Sequence, residues 1–267
     1  MGSGMSTPRT ANYDHSLTIA AIVTTIGRDS FTNALASIKH QSRPPDQLIV
    51  VYDTPKPPRN LGAPNIIWTG YLRNASLARN LGAAEANCKF LAFLDDDDVW
   101  LSEHLREVDA ALNDQSIDVV CTSCYRLDDA GLLLGSVAPA ALRPSDFFTS
   151  NPGFRGSNLI IRKSLLLGLG GFNANLLSHN DLDLAIRLAD CGAKYRGLIA
   201  RTVVFCDHAG IRLSSAGSFA KCTGLRQFWA LYKDRMTENQ RKIFQRKARR
   251  LWRCMEWYYE FWPGNAS

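Results

Sequence analysis

Four consecutive carboxylates, Asp95-Asp96-Asp97-Asp98, follow the apolar run Phe90-Leu91-Ala92-Phe93-Leu94. A short apolar run of this kind reads as a strand buried on both faces. The acids therefore stand where a strand ends, and in open α/β sheets ligands bind outside the carboxyl ends of strands. Carboxylates crowded at one point repel one another. A hard divalent cation, which prefers carboxylate oxygens, relieves that repulsion. A solvated acidic loop is the bland alternative, and the apolar strand immediately upstream favours the metal site. A cation so held can neutralise negative charge on a bound ligand. Other candidates are Asp53, after the apolar run Leu48 to Tyr52, Asp181 in the first turn of a helix, and His208 after Val203 to Cys206.

The elements that must position these residues follow from periodicity. Leu17 to Val23 is a first strand, Thr24 to Ser30 a polar turn, and Phe31, Leu35 and Ile38 mark a helix that Pro44-Pro45 stops. Leu48 to Tyr52 is a second strand and Asn65 to Trp68 a third. Leu72 to Ala86 is a helix with Leu77, Leu81 and Ala84 on its inner face. Trp100 to Leu112 is another, with Leu101, Leu105, Val108 and Leu112 inward, and Asp118 to Cys121 begins a further strand. Strands alternating with helices predict an α/β fold with a mostly parallel central sheet flanked by helices. Later, Gly153 to Asn158 reads as a flexible polar turn before Leu159 to Ile161. Ser164 caps a helix ending at Gly168 or Gly170-Gly171, and Asn180 opens another, with Asp183 as a capping acid suited to the helix dipole.

Composition bounds the rest. The chain has 267 residues, 46% of them hydrophobic, enough for one sizeable domain with an appendage. A net charge of +6 suits anionic ligands and is too small to indicate nucleic acid. Seven cysteines at irregular spacing suggest reduced thiols and a cytoplasmic protein; the lone pair Cys121 and Cys124 reads as buried structural thiols. No apolar run reaches the roughly 18 residues of a membrane span. Residues 1–16 read as a tag and disordered N-terminus, 17–220 as the main domain, and 221–267 as a basic, aromatic helical extension. In that tail Arg241, Lys242, Arg246, Lys247, Arg249, Arg250 and Arg253 interleave with Phe244, Trp252, Trp257, Tyr258, Tyr259, Phe261 and Trp262. The aromatics pack on the main domain in one reading; in the other the tail makes peripheral contact with the inner face of an anionic membrane.

Taken in order, these pieces resemble the family 2 glycosyltransferases of the GT-A fold, from about Leu17 to Ser215. The resemblance rests on Ile22-Val23-Thr24-Thr25, Val50-Val51-Tyr52-Asp53, Ala78-Arg79-Asn80-Leu81-Gly82, Asp95-Asp96-Asp97, Gly170-Gly171-Phe172 and Asn180-Asp181. It implies a metal-dependent, inverting transfer of a sugar from a nucleotide-diphosphate donor, by family habit a UDP-sugar, to a hydroxyl acceptor on a glycan, lipid carrier or natural product. The implied metal is Mn²⁺ or Mg²⁺, on Asp97 with His208. Asp96 matches the position that contacts sugar and ribose, beside Asp95. Asp53 matches the reader of the base ring N–H and Thr24, with Thr25, lies beside it. Arg73 and Arg79 face the nucleotide, and Asp181 is the general base. Three places depart from the family pattern. Tyr52 stands where a second Asp is usual, Asn180 replaces a Glu, and Asn173-Ala174 replaces acids after the Gly-Gly-Phe segment. They point to altered base recognition and to a different acceptor, or to a degenerate protein that binds nucleotide without turnover. A phosphohydrolase of the haloacid dehalogenase type shares the apolar strand and Asp-X-Asp-X-Val string, but carries it on its first strand.

Overall fold

The computed structural model describes residues 17–58, 65–207 and 218–252. The proposed tag, His208, Arg253 and the aromatics from Trp257 onward lie outside the described residues. In chain order the elements are β1 (Ile19–Thr25), α1 (Phe31–Lys39), β2 (Gln47–Tyr52), β3 (Asn65–Trp68), α2 (Ala75–Glu85), β4 (Phe90–Asp95), β5 (Asp98–Trp100) and α3 (His104–Leu112). There follow β6 (Val119–Asp128), β7 (Gly131–Leu134), α4 (Pro144–Phe147), β8 (Leu159–Arg162), α5 (Lys163–Gly168), α6 (Asn180–Asp190), β9 (Tyr195–Cys206), α7 (Phe219–Tyr232) and α8 (Glu238–Trp252).

The strands form one sheet in the order β3-β2-β1-β4-β8-β6-β9-β5, with β7 paired to β6. The half built from strand–helix alternation, β3-β2-β1-β4, is parallel throughout. The other half is mixed: β8 runs antiparallel to both β4 and β6, β6 and β9 are parallel, and β5 turns back antiparallel to β9. β4 is the centre. Its side chains alternate between two cores, as the period of a strand requires. Leu91 and Phe93 enter one core with α2, α5 and α6. Phe90, Ala92 and Leu94 enter the other with α1 and α3.

Several local expectations change. Trp100 closes β5 instead of opening a helix, because the chain reverses at Asp96-Asp97 and pairs with β9; α3 starts only at His104. α2 starts at Ala75, capped by the Asn74 side chain, and its buried face is Ala78, Arg79, Gly82 and Ala83. Leu81, expected inside, is 37% exposed. Large side chains do not fit where α2 lies against β1: a Cβ on Gly82 would meet Ile22 Cγ2 at 2.5 Å. Ser164 is no cap, since α5 begins at Lys163 and Arg162 precedes it without a side-chain cap. Asp183 is no cap either. It is buried, accepting from Arg187 Nε at 2.8 Å and Tyr232 Oη at 2.6 Å.

The C-terminal helices join the first core. Leu225 and Phe228 of α7 and Phe244 and Ala248 of α8 are buried in the same cluster as Leu91 and Phe172. The six described cysteines are free thiols. Cys121 and Cys124 cannot pair, because an odd spacing on a strand sends them to opposite cores. Among the described residues no helix is long and apolar enough to cross a membrane.

Candidate active site

The four acids fan out from the end of β4. Asp95 is the last residue of the strand, level with Thr24 on β1, and its carboxylate pairs with Arg79 Nη2 at 2.5 Å. Asp96 turns inward with 3% of its side chain exposed. It accepts from Thr25 Oγ1 at 2.7 Å, from Ile26 N at 3.0 Å and from Arg28. Asp97 lies 3.6 Å from Arg28 Nη1. Asp98 opens β5 and is buried, accepting from Ser157 Oγ at 2.6 Å and Cys206 N at 3.3 Å. Burial above all, then the charges of Asp97 and Asp95, pushes the Asp98 carboxyl well above the usual carboxylate range.

Two sets of residues hold this turn. On one side Thr25 and Arg28 tie it to the loop after β1; Thr25 Oγ1 also accepts from Gly27 N at 2.9 Å. Thr25 and Asp96 are therefore bonded to each other in a buried brace, while Thr24 is half-buried at the strand end. On the other side Ser157 accepts from Asp95 N at 3.1 Å while donating to Asp98. Its carbonyl takes the Trp100 Nε1 proton at 2.8 Å. Trp100 stacks on His104 at 4.4 Å between centroids, and His104 Nδ1 meets Thr202 Oγ1 at 2.8 Å. Burial holds that imidazole neutral, with its pKa pushed down to about 3.

Arg79 links the acids to α2 and beyond. The guanidinium is buried, lies 5.3 Å from the centroid of Phe172, and packs on Gly156. Its charge is stabilised by Asp95, then by Asp181 and Asp97, against the cost of burial. The next residue, Asn80, accepts from Phe172 N and donates to Phe172 O, each at 2.8 Å. A Cβ on Gly171, whose φ is +77°, would strike the Asn80 side chain. So the Ala-Arg-Asn helix staples the Gly-Gly-Phe segment to the site.

Asp181 stands in the first turn of α6, held by Asn151 Nδ2 at 2.9 Å and by Leu182 N at 3.0 Å. Burial raises its pKa, opposed by the Leu182 N–H and by Arg155, Arg79 and Lys221. A carboxylate made more basic in this way is suited to proton abstraction. Asn180 donates to Ser76 Oγ at 2.8 Å, tying α6 to α2. At the far edge Asp53 is buried, accepting from Thr69 Oγ1 at 2.8 Å and from Leu72 N. Beside it Tyr71 and Arg73 both have positive φ, and Arg73 lies 5.5 Å over the Tyr71 ring.

The donor set suits a cation shared with phosphate. Asp95 and Asp97 keep 34% and 16% of their side chains exposed, more than Asp96. Among the described residues no group of three or more His, Cys, Asp or Glu side chains converges into a cage. Asp95 and Asp97 could offer carboxylate oxygens to a divalent cation, whose remaining ligands would have to come from elsewhere. Sequence reasoning passed over Ser157, Asn151 and Arg28. Ser157 lies inside the stretch Gly153 to Asn158, which reads as a flexible turn, and Asn151 lies two residues before it; only tertiary packing shows that the stretch buttresses the acids.

A family model described as glycosyl transferase family 2 matches residues 20–166. Among solved structures the chain is similar to TarS of S. aureus. The 1–349 fragment in complex with UDP-GlcNAc aligns with a TM-score of 0.63 and 18% identity, over 91% of this chain and 75% of that one. The fragment in complex with UDP gives 0.58 and 17%, over 85% and 70%. Against the longer TarS structure the score is 0.58 at 17% identity, covering 85% of this chain and 42% of that chain. No curated protein matches. The sheet and helix arrangement is the GT-A fold of these structures.

Proposed function

The chain belongs to glycosyl transferase family 2, and from that premise we propose that it moves a sugar from a UDP-sugar to an acceptor hydroxyl with inversion at C1. The reading is carried by one observation: the buried Arg79 pairs with Asp95 at the end of β4, and its charge is stabilised as well by Asp181 on α6 and by Asp97. That arrangement sets a diphosphate side and an acceptor side against each other across one cation.

On the diphosphate side, Asp97 and Asp95 would hold Mn²⁺ or Mg²⁺, with His208 as a further candidate ligand. When bound, the metal supplies charge neutralisation for a diphosphate leaving group. Asp53 and Thr24 receive the nucleoside, and Arg73 lies at that edge. Asp96 and Thr25 keep the turn in register beside the sugar. On the acceptor side, Asp181 takes the proton as the hydroxyl oxygen bonds to C1. The C1–O bond to the diphosphate breaks as its electron pair leaves with the phosphate oxygen. UDP is favoured because both UDP and UDP-GlcNAc occupy the similar TarS structures. The remaining parts of the proposal are a cytoplasmic site of action and contact of α8 with an anionic membrane through the exposed Lys242, Arg246 and Arg250. The haloacid dehalogenase alternative is set aside by the family match and by Thr24-Thr25, in place of the acids, at the end of the first strand.

UDP release from a panel of UDP-sugars, followed with and without Asp181→Asn, tests the reading. A base of this kind contributes about 10²–10⁴-fold to turnover. Loss on that scale with UDP affinity retained supports the assignment; undiminished turnover removes it.

A further inference from the structure

Positive charge collects around Asp181. Three elements meet there. The loop before β8 reaches it through Asn151, which donates to Asp181 and to Phe154 O while its Oδ1 accepts from Gly153 N and Phe154 N. Arg155 follows at once, exposed, with Cζ 4.8 Å over the Phe205 ring. The turn into α6 brings His179, whose φ of 64° is left-handed. Helix α7 presses on this turn so closely that a Cβ on Gly224 would lie 2.2 Å from Ser178 Oγ. That contact sets Lys221 Nζ 3.5 Å from His179 Nε2.

Among the described residues neither Arg155 nor Lys221 has an ion pair with a carboxylate, whereas Arg79 is spent on Asp95. Lys247 of α8, its Nζ 3.2 Å from Thr149 O, adds a third cation to the field at Lys221. One carboxylate, Asp181, feels the charge of both Arg155 and Lys221. Burying an ammonium is costly, and burial depresses the Lys221 pKa, opposed by the charge of Asp181. His179 gives no relief, because burial first and then Lys221 and Lys247 hold it neutral. The fold keeps this charge beside the proposed base, with Arg155 lying over Phe205, the β9 residue that pairs with Asp98.

We propose that the acceptor carries a phosphate or carboxylate close to its reacting hydroxyl, and that Arg155 and Lys221 bind that anion. The inference rests on Asp181 facing the acceptor. It assigns to α7 a share of the acceptor site, and it gives the cations a second use: they shield Asp181 from the incoming negative charge.

The test uses full-length protein saturated with UDP and Mn²⁺, so that the diphosphate site is filled. Glycerol 3-phosphate, glycerate and glycerol are titrated in turn by calorimetry. The expected result is saturable binding of at least one anion and none of glycerol, with the two anions showing which chemistry is preferred. Arg155→Met with Lys221→Met should weaken the anion at least tenfold, while Lys233→Met, just past the end of α7, leaves it unchanged. Anions binding no better than glycerol, or binding the double variant as they bind the wild type, would overturn the proposal. Failure of UDP itself to bind would overturn the donor reading first, so the two failures are distinguishable.

Discussion

Replacing Gly156 with alanine isolates the brace on which the acids depend. The added Cβ would lie 2.8 Å from Arg79 Nη2, 3.1 Å from Cζ and 3.3 Å from Nε. Ordinary contact begins near 3.5 Å, so the guanidinium must retreat by roughly 0.7 Å. It has nowhere easy to go, with Phe172 5.3 Å away at its centroid and Asp95 at 2.5 Å. Overpacking of this kind costs about 1–3 kcal/mol. The strained pair with Asp95 adds little more, because Asp95 is a third exposed and solvent screens it. At about 2–4 °C per kcal/mol for a domain near this size, the melting temperature should fall by roughly 2–12 °C. Mn²⁺-dependent UDP affinity should fall about tenfold as Asp95 loses its position. In a double-mutant cycle with Arg79→Met the two changes should be strongly non-additive, since both act through one contact. A variant that melts within 1 °C of wild type and binds UDP unchanged would refute the reasoning.

Three further outcomes follow from the same geometry. Asp181→Asn should lower turnover yet raise the melting temperature at neutral pH. The folded pKa of Asp181 is raised by burial, so the folded state holds its proton more tightly and the ionised form weakens the fold above that pKa; wild-type turnover should correspondingly fall as pH drops through it. A destabilised Asn variant would contradict this. Ser157→Ala should cost about 1–3 kcal/mol in urea unfolding, because Asp98 loses its hydroxyl donor and Asp95 N its acceptor; Ser157→Thr should restore most of it. His104, with a folded pKa of about 3 against an ordinary 6.5, contributes stability that is complete above pH 6.5 and declines as pH falls towards 3. The slope is about 1.4 kcal/mol per pH unit. His104→Gln should flatten that part of the stability–pH curve, and an unchanged curve would show that His104 is not the group responsible.

The central strand was legible because its five apolar residues are buried on both faces, and the acids after it mark the functional end of the sheet. The parallel half of the sheet follows from strand–helix alternation alone. The acids themselves were less legible. Spacing suggested a crowd, whereas the two-residue reversal at Asp96-Asp97 sends them to Arg79, to Thr25 and Arg28, and to Ser157. Those partners lie 16 to 71 residues away in sequence, so no local pattern announces them. The face of α2 was misjudged for a related reason. Hydrophobicity favoured Leu77 and Leu81, but the packing against β1 and β2 admits only Ala78, Gly82 and Ala83, and it buries the charged Arg79 to serve the site. Likewise, β5 and β7 are too short to carry a periodic signal, and they form only because β9 and β6 offer edges to pair with.

The most direct measurement is calorimetric titration of UDP into wild type and Asp97→Ala, each with Mn²⁺ and with chelator. If the turn after β4 grips a cation that in turn holds the diphosphate, wild type binds UDP at least tenfold more tightly with Mn²⁺, and the variant shows no difference between the two conditions. Equal affinity of the wild type with and without the metal, or a variant that keeps the full Mn²⁺ enhancement, would contradict the account.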